Sequence, residues 1–259
     1  MNHSARMPAI FLGHGSPMNT IEDNRYTLAW EDLGKSLPVP TAILAISAHW
    51  MTPGEVAVTA MERPETIHDF GGFPQALFDI RYPAPGAPAL AQRIAHLLSP
   101  LPVRQDQSWG LDHGTWSVLA RMYPEAQIPV VQLSLDLAQP AAWHFELGRS
   151  LSALRDEGVL LMASGNVVHN LRQLRSHAPA WDWADRFNQN IRAAILKRDN
   201  EAVVDYLRFG QDAILSVPTN EHYLPLLYIL GSQAPDEQAQ IITDGIDLAA
   251  ISMLSVLVA

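Results

Sequence analysis

Apolar positions along the chain come in short unbroken runs, separated by stretches with a helical rhythm. The runs Ala9–Leu12, Ala42–Ser47, Val56–Thr59, Ile128–Leu133, Val159–Ala163 and Gln240–Thr243 read as strands, and Ile251–Val258 is a further apolar segment. They lack the in–out alternation of a half-exposed strand, which predicts burial on both faces beneath covering helices. Apolar residues at three- and four-residue spacing predict helices over Ala87–Leu98, Trp116–Met122, Ala141–Arg155, Asp182–Lys197, Asn200–Phe209 and Tyr223–Gly231. Strands alternating with helices predict an α/β fold. We expect one domain over residues 1–259, with a mostly parallel central sheet flanked by helices.

A histidine follows a predicted strand end three times. AIFLGHGSP carries His14, AILAISAHW carries His49 and VLLMASGNVVHN carries His169. Open α/β sheets bind ligands beyond the carboxyl ends of their strands. Three histidines far apart in sequence are therefore expected to meet at one edge, which makes that edge the candidate metal site.

Composition narrows the chemistry. The 259 residues include ten histidines and no cysteine, so disulfides, thiolate nucleophiles and zinc–thiolate sites are excluded. A borderline metal must then be held by imidazole and carboxylate. The formal charge of −10 opposes nucleic-acid binding, which needs a basic face. No apolar run approaches the ~18 residues of a membrane span; Leu248 to Ala259 is the longest candidate and two serines interrupt it. The opening MNHSARMP is followed by too few apolar residues for a secretory signal, so the expected location is cytoplasmic.

Each histidine also has a plain structural reading. Gly13 and Gly15 around His14 suit a sharp turn, and Ser16-Pro17 does not match a nucleophile elbow. His49 alone could be a satisfied core residue, with Trp50 as packing. His113 in Leu-Asp-His-Gly-Thr-Trp opens a helix that Asp112 or Thr115 could cap. His222 precedes an apolar helix, and its neighbour Glu221 is either ligand or supporting partner. His96 and His144 fall on predicted helices and read as solvent-facing, while His3 and His177 look ordinary. His68 opens His-Asp-Phe-Gly-Gly-Phe-Pro, a loop able to line a pocket for a flat aromatic ring through His68, Phe70 and Phe73.

Taken together and in order, these segments resemble a known family. Gly13–Pro17, Ser47–Trp50, His68–Pro74, Leu111–Gly114, His169–Leu171 and Glu221–Tyr223 are similar to the class III (LigB-type) extradiol ring-cleavage dioxygenases, and most to their DOPA 4,5-dioxygenase branch. The resemblance covers essentially the whole chain. It implies one divalent metal per chain, Fe(II) by expectation and Zn(II) in some purified protein. It implies His14, His49 and His222 as ligands, with Glu221 the alternative to His222. His169 would be the acid/base residue and a fourth ligand when it swings in, and His113 would lie beside the oxygen. The implied partners are a small catechol and O₂; no oligomeric state follows. Two other classes fit the same histidines: a zinc hydrolase and a non-catalytic metal-binding member of the superfamily.

Overall fold

Side-chain alternation along each strand decides how the layers form. In the computed structural model, which describes residues 6–259 and so leaves His3 outside the described residues, Ile10 and Leu12 point to one side of the sheet while Ala9 and Phe11 point to the other. The same split separates Ile43 and Ala45 from Leu44 and Ile46, and Leu160 and Met162 from Leu161 and Ala163. Each face therefore carries its own apolar core, and each core needs its own cover of helices.

The described residues form an eight-stranded sheet. Its strands are β1 (Ala9–Gly13), β2 (Ala42–Thr52), β3 (Val56–Thr59), β4 (Val103–Asp106), β5 (Val130–Asp136), β6 (Val159–Gly165), β7 (Ala239–Thr243) and β8 (Ser255–Val258). They lie in the order β4-β3-β5-β2-β6-β1-β8-β7. The four central strands β5-β2-β6-β1 are parallel, whereas β3, β8 and β7 each pair antiparallel with a neighbour. Helices α1 (Arg25–Ser36) and α3 (His113–Met122) cover one face through Trp30, Leu33, Trp116 and Leu119. Helices α2 (Pro88–Leu97), α4 (Ala141–Leu151), α5 (Asp182–Lys197) and α6 (Leu224–Gly231) cover the other. The expected α/β fold, with a mostly parallel central sheet between helices, is what forms. No helix among the described residues is long and apolar enough to cross a membrane.

Several boundaries differ from the sequence expectation for physical reasons. Helix α1 breaks no apolar pattern strongly enough to be predicted. Its start is fixed by a reciprocal cap, in which the Asn24 side chain accepts from the amides of Tyr26 and Thr27 while Thr27 accepts from the Asn24 amide. Strand β5 starts at Val130 and runs on to Asp136, beyond the predicted Leu133. The apolar segment Ile251–Val258 splits into Ile251–Ser252 and β8. Helix α3 begins at His113 instead of near Trp116, because Asp112 caps it by accepting from the Thr115 amide. The predicted Ala141–Arg155 and Asn200–Phe209 helices each end in a separate 3₁₀ turn. His144 is buried, not solvent-facing: its Nδ1 lies 2.9 Å from the Tyr228 hydroxyl, which gives that nitrogen a partner inside the core. His96 is exposed as expected.

Arg155 ties together the segments that flank β1, α6 and β7. Its guanidinium is fully buried and donates to the carbonyls of Met7, before β1, and Ser232, after α6, and to Glu237 Oε2 at 2.8 Å. Removing one partner strands the other charge in a dry setting. Glu237→Ala should therefore cost about 3–5 kcal/mol in chemical denaturation. The double change Arg155→Met with Glu237→Leu should recover much of that loss. A single-variant cost below about 1 kcal/mol would show the pair to be unimportant to the fold.

Candidate metal centre

Strand register sets the site. Parallel pairing puts Leu12 and Ser47 both beside Ser164, so β1, β2 and β6 reach one edge at the same level. His14 leaves β1 directly after Gly13, and its amide donates to the Gly165 carbonyl. Gly15 then turns with φ +63°, a conformation that favours glycine.

His49 does not follow its strand; it sits inside β2. Pairing of β2 with β5 jumps from Ile46↔Leu133 to Met51↔Leu135, so His49 lies in a bulged stretch that is free to aim its ring at the edge. Bulges of this kind re-aim side chains near active sites. Beneath it, Gly114 leaves room that a Cβ would take from Ser47 and the His49 ring.

His222 comes from the loop before α6. Its carbonyl accepts from the Asn166 amide at 2.8 Å, which pins the loop to the end of β6. A Cβ at Gly165 would collide with that same carbonyl, so the close approach requires glycine there. His169 is held by its own amide donating to Ser216 and by a bridge to Ile251.

Three of these rings form a near-even triangle. Ring centroids lie 5.2 Å apart for His14–His49, 5.5 Å for His14–His222 and 5.0 Å for His49–His222. Each has an oxygen next to its Nδ1: Ser164 Oγ at 2.8 Å for His14, Asp69 Oδ2 at 3.4 Å for His49 and Glu221 Oε1 at 3.0 Å for His222. Such partners orient metal-binding imidazoles and leave Nε2 as the free lone pair. His222 Nε2 is buried with no partner among the described residues. The Nε2 atoms of His14 and His49 face each other at 3.3 Å. Lone pairs aimed together in this way need a proton or a cation between them, so the residues fit a bound metal ion.

Two further groups complete the cluster. Ligand atoms of His14, His49 and His113 lie within 4.8 Å of one another, as do those of His169, Glu221 and His222. The site thus offers a second candidate triad, in which His113 replaces His222. Asp69 grips His113 twice, accepting from its amide at 2.9 Å and lying 2.9 Å from its Nδ1. Burial alone would raise the Asp69 carboxyl, but these contacts outweigh it and hold it below the usual range. His169 stacks on His222 with centroids 3.4 Å apart and planes 9° from parallel.

Four of these rings are held in the neutral form. Burial first, and the neighbouring imidazoles second, push His14 and His222 well below the ordinary histidine value. The same causes lower His49 to about 3, and burial lowers His169 to about 4. Neutral imidazole is the form that binds a metal.

A cavity of about 300 Å³ opens onto these rings, at the small end of ligand-site sizes. Phe70 and Phe73 line it, meeting edge to face at 5.5 Å. His68 does not line it, contrary to its expected substrate contact. Its Nε2 lies 3.1 Å from the Ile80 carbonyl and its ring packs on Phe70, Phe78 and Trp116, which places it behind the wall. Asp69 and Ser164 were not singled out from the sequence. The only hint was a carboxylate beside His68 in a glycine-rich loop, and for Ser164 there was none.

Known proteins resemble this chain over nearly its whole length. Residues 8–258 match the family described as the catalytic LigB subunit of aromatic ring-opening dioxygenase. The chain is 57% identical to a 4,5-DOPA dioxygenase extradiol of Escherichia coli, covering 98% of this chain and 95% of that protein. It is 37% identical to the Beta vulgaris protein of the same name, covering 92% and 91%. A crystal structure of an uncharacterized Escherichia coli K12 protein superposes with a TM-score of 0.86 at 51% identity, covering 97% of this chain and 99% of that one.

The lowered values predict a pH response of the metal-free protein. Because the folded-state values lie below the unfolded value of about 6.5, these histidines add stability above that pH and lose it as pH falls through their folded values. By proton NMR, His14, His49, His169 and His222 should take up no proton between about pH 8 and about pH 5. Titration of any of these four near ~6.5 would contradict their burial as neutral rings.

Proposed function

Because the chain belongs to the LigB family of catalytic subunits of aromatic ring-opening dioxygenases, we propose that it is an extradiol dioxygenase that opens a catechol ring with O₂ and takes a DOPA-like substrate. The observation that carries this reading is the triangle of neutral imidazoles with inward Nε2 atoms, set against an aromatic-walled cavity. The DOPA-like substrate is supported by the names of the relatives from Escherichia coli and Beta vulgaris.

In this reading His14, His49 and His222 hold one divalent ion, Fe(II) by preference, with zinc able to take the same nitrogens. When bound, the ion supplies Lewis acidity towards the catechol oxygens and open positions where catechol and O₂ are held together. The remaining work falls to the protein. Glu221 accepts from His222 Nδ1 and so fixes its tautomer; it is the partner of the third ligand, and the substitute ligand if His222 is not one. Phe70 and Phe73 hold the flat ring by its faces and edges.

His169 is neutral beside His222 and opens on the cavity, so it can take the catechol hydroxyl proton and return it later. His113, fixed by Asp69, is the second imidazole facing the reacting oxygens. The product is a ring-opened semialdehyde acid. A chain without cysteine suits the reducing cytoplasm, where we place it.

Two sets of variants test the allocation. His14→Ala, His49→Ala and His222→Ala should each lose most bound metal, while His113→Ala keeps it. Full metal in His222→Ala with loss in His113→Ala would move the third ligand to His113; loss in Glu221→Ala alone would move it to Glu221. His169→Ala should keep its metal and still bind catechol, yet consume O₂ about 10²–10⁴-fold more slowly in kcat. Normal turnover in that variant would remove His169 from the proton transfer.

A further inference from the structure

The mouth of the cavity is apolar and carries little charge. Leu171, Leu174 and Leu248 are exposed there despite being large and hydrophobic, and all three line the opening. Exposed apolar surface at a pocket mouth marks where a ligand is covered. No lysine or arginine is among the described lining residues. Two carboxylates are. Asp69 is committed to His113 and His49 deep inside. Asp247 is exposed, at the rim, and has no ion-pair or hydrogen-bond partner for its carboxylate among the described residues.

Asp247 is also held in place. It pairs with Ile251 in a hairpin whose tip contains Leu248 at φ 47° and Ala249 at φ 65°. Left-handed backbone in consecutive non-glycine residues is strained and persists only where the surroundings impose it. Here three successive tip carbonyls each accept an amide from one facing segment: Leu248 from Arg175, Ala249 from Trp181 and Ala250 from Asn170. That segment follows His169 directly, so the rim and the proton-transfer residue share one support. A strained, clamped turn that aims an unpaired carboxylate over an apolar opening is a placed charge.

We propose that Asp247 is the specificity-determining residue for the part of the substrate outside the catechol ring: it selects a cationic amine on the side chain and rejects an anionic one. This rests on the catechol reading above. The ring lies at the histidines and between Phe70 and Phe73, and its substituent points to the rim. There an ammonium meets the Asp247 carboxylate, while a carboxylate meets a like charge and no lysine or arginine among the described lining residues. The amine is thus the recognised group, and a carboxyl beside it contributes nothing to affinity at this rim.

Three catechols of similar size separate the charges: dopamine, 4-ethylcatechol and 3,4-dihydroxyphenylpropionate. Their dissociation constants are measured by calorimetry without oxygen on metal-loaded wild type and Asp247→Asn, and O₂ uptake is followed on the same preparations. We expect wild type to bind dopamine tighter than 4-ethylcatechol and the propionate weakest. Asp247→Asn should shrink the dopamine-to-ethylcatechol affinity ratio by about two- to fivefold, and raise the relative affinity of the propionate. Unchanged ratios, or an equal loss for all three ligands, would overturn the assignment. Charge-dependent binding without O₂ uptake would instead sink the dioxygenase reading and leave Asp247 as the selector.

Discussion

Five imidazoles share one buried edge, and four of them, His14, His49, His169 and His222, are held in the uncharged form. His14, His49, His113, His169 and His222 stand within a few ångströms of one another, and burial together with mutual repulsion drives the charged form out of most of them. A neutral ring has one N–H and one lone pair, so the group that takes the N–H decides where the lone pair points. Glu221 beside His222 and Ser164 beside His14 stand at hydrogen-bond distance to serve that role, and the Asp69 carboxylate flanks His49 Nδ1 at 3.4 Å. The rest of the fold serves this constraint. Parallel register brings β1, β2 and β6 to one level, the β2 bulge turns His49 inward, and Gly165 lets the His222 loop lie against the sheet.

Much of this was legible in the sequence, and the legible part has a common character. Buried parallel strands announce themselves as unbroken apolar runs, and the histidines just beyond β1 and β6 follow from the rule that sites lie at strand carboxyl ends. His49 shows where that logic stops. Its strand continues through Thr52, and only pairing with β5 reveals that the residue sits in a bulge. Local sequence carries no sign of a register jump, which belongs to two strands at once. Asp69 and Ser164 escaped for a related reason, since their importance is the ring they touch across the fold. His68 erred the other way: it belongs to the right loop, but the loop's turn puts its ring behind Phe70. His144 looked solvent-facing because its helix position says nothing of Tyr228, which lies 84 residues further on.

The cavity divides the labour between its floor and its rim. Neutral nitrogens at the floor suit a metal and a proton relay, whereas the phenylalanine wall provides shape without charge. Charge enters only at the carboxylates, one spent internally on His113 and His49 and one left facing outward at Asp247. In the proposed reading, an apolar opening with a single placed charge sorts substrates by their substituents and leaves ring chemistry to the floor. The left-handed backbone at residues 248–249 sits in the hairpin that carries this rim.

The central claim is that three particular Nε2 atoms converge on one ion. Anomalous diffraction from crystals of the metal-loaded protein locates that ion directly. We expect a single peak at about 2.0–2.2 Å from Nε2 of His14, His49 and His222, with the Glu221 carboxylate still beside His222 Nδ1. A peak bonded to His14, His49 and His113 instead, with His222 left unbound, would contradict it.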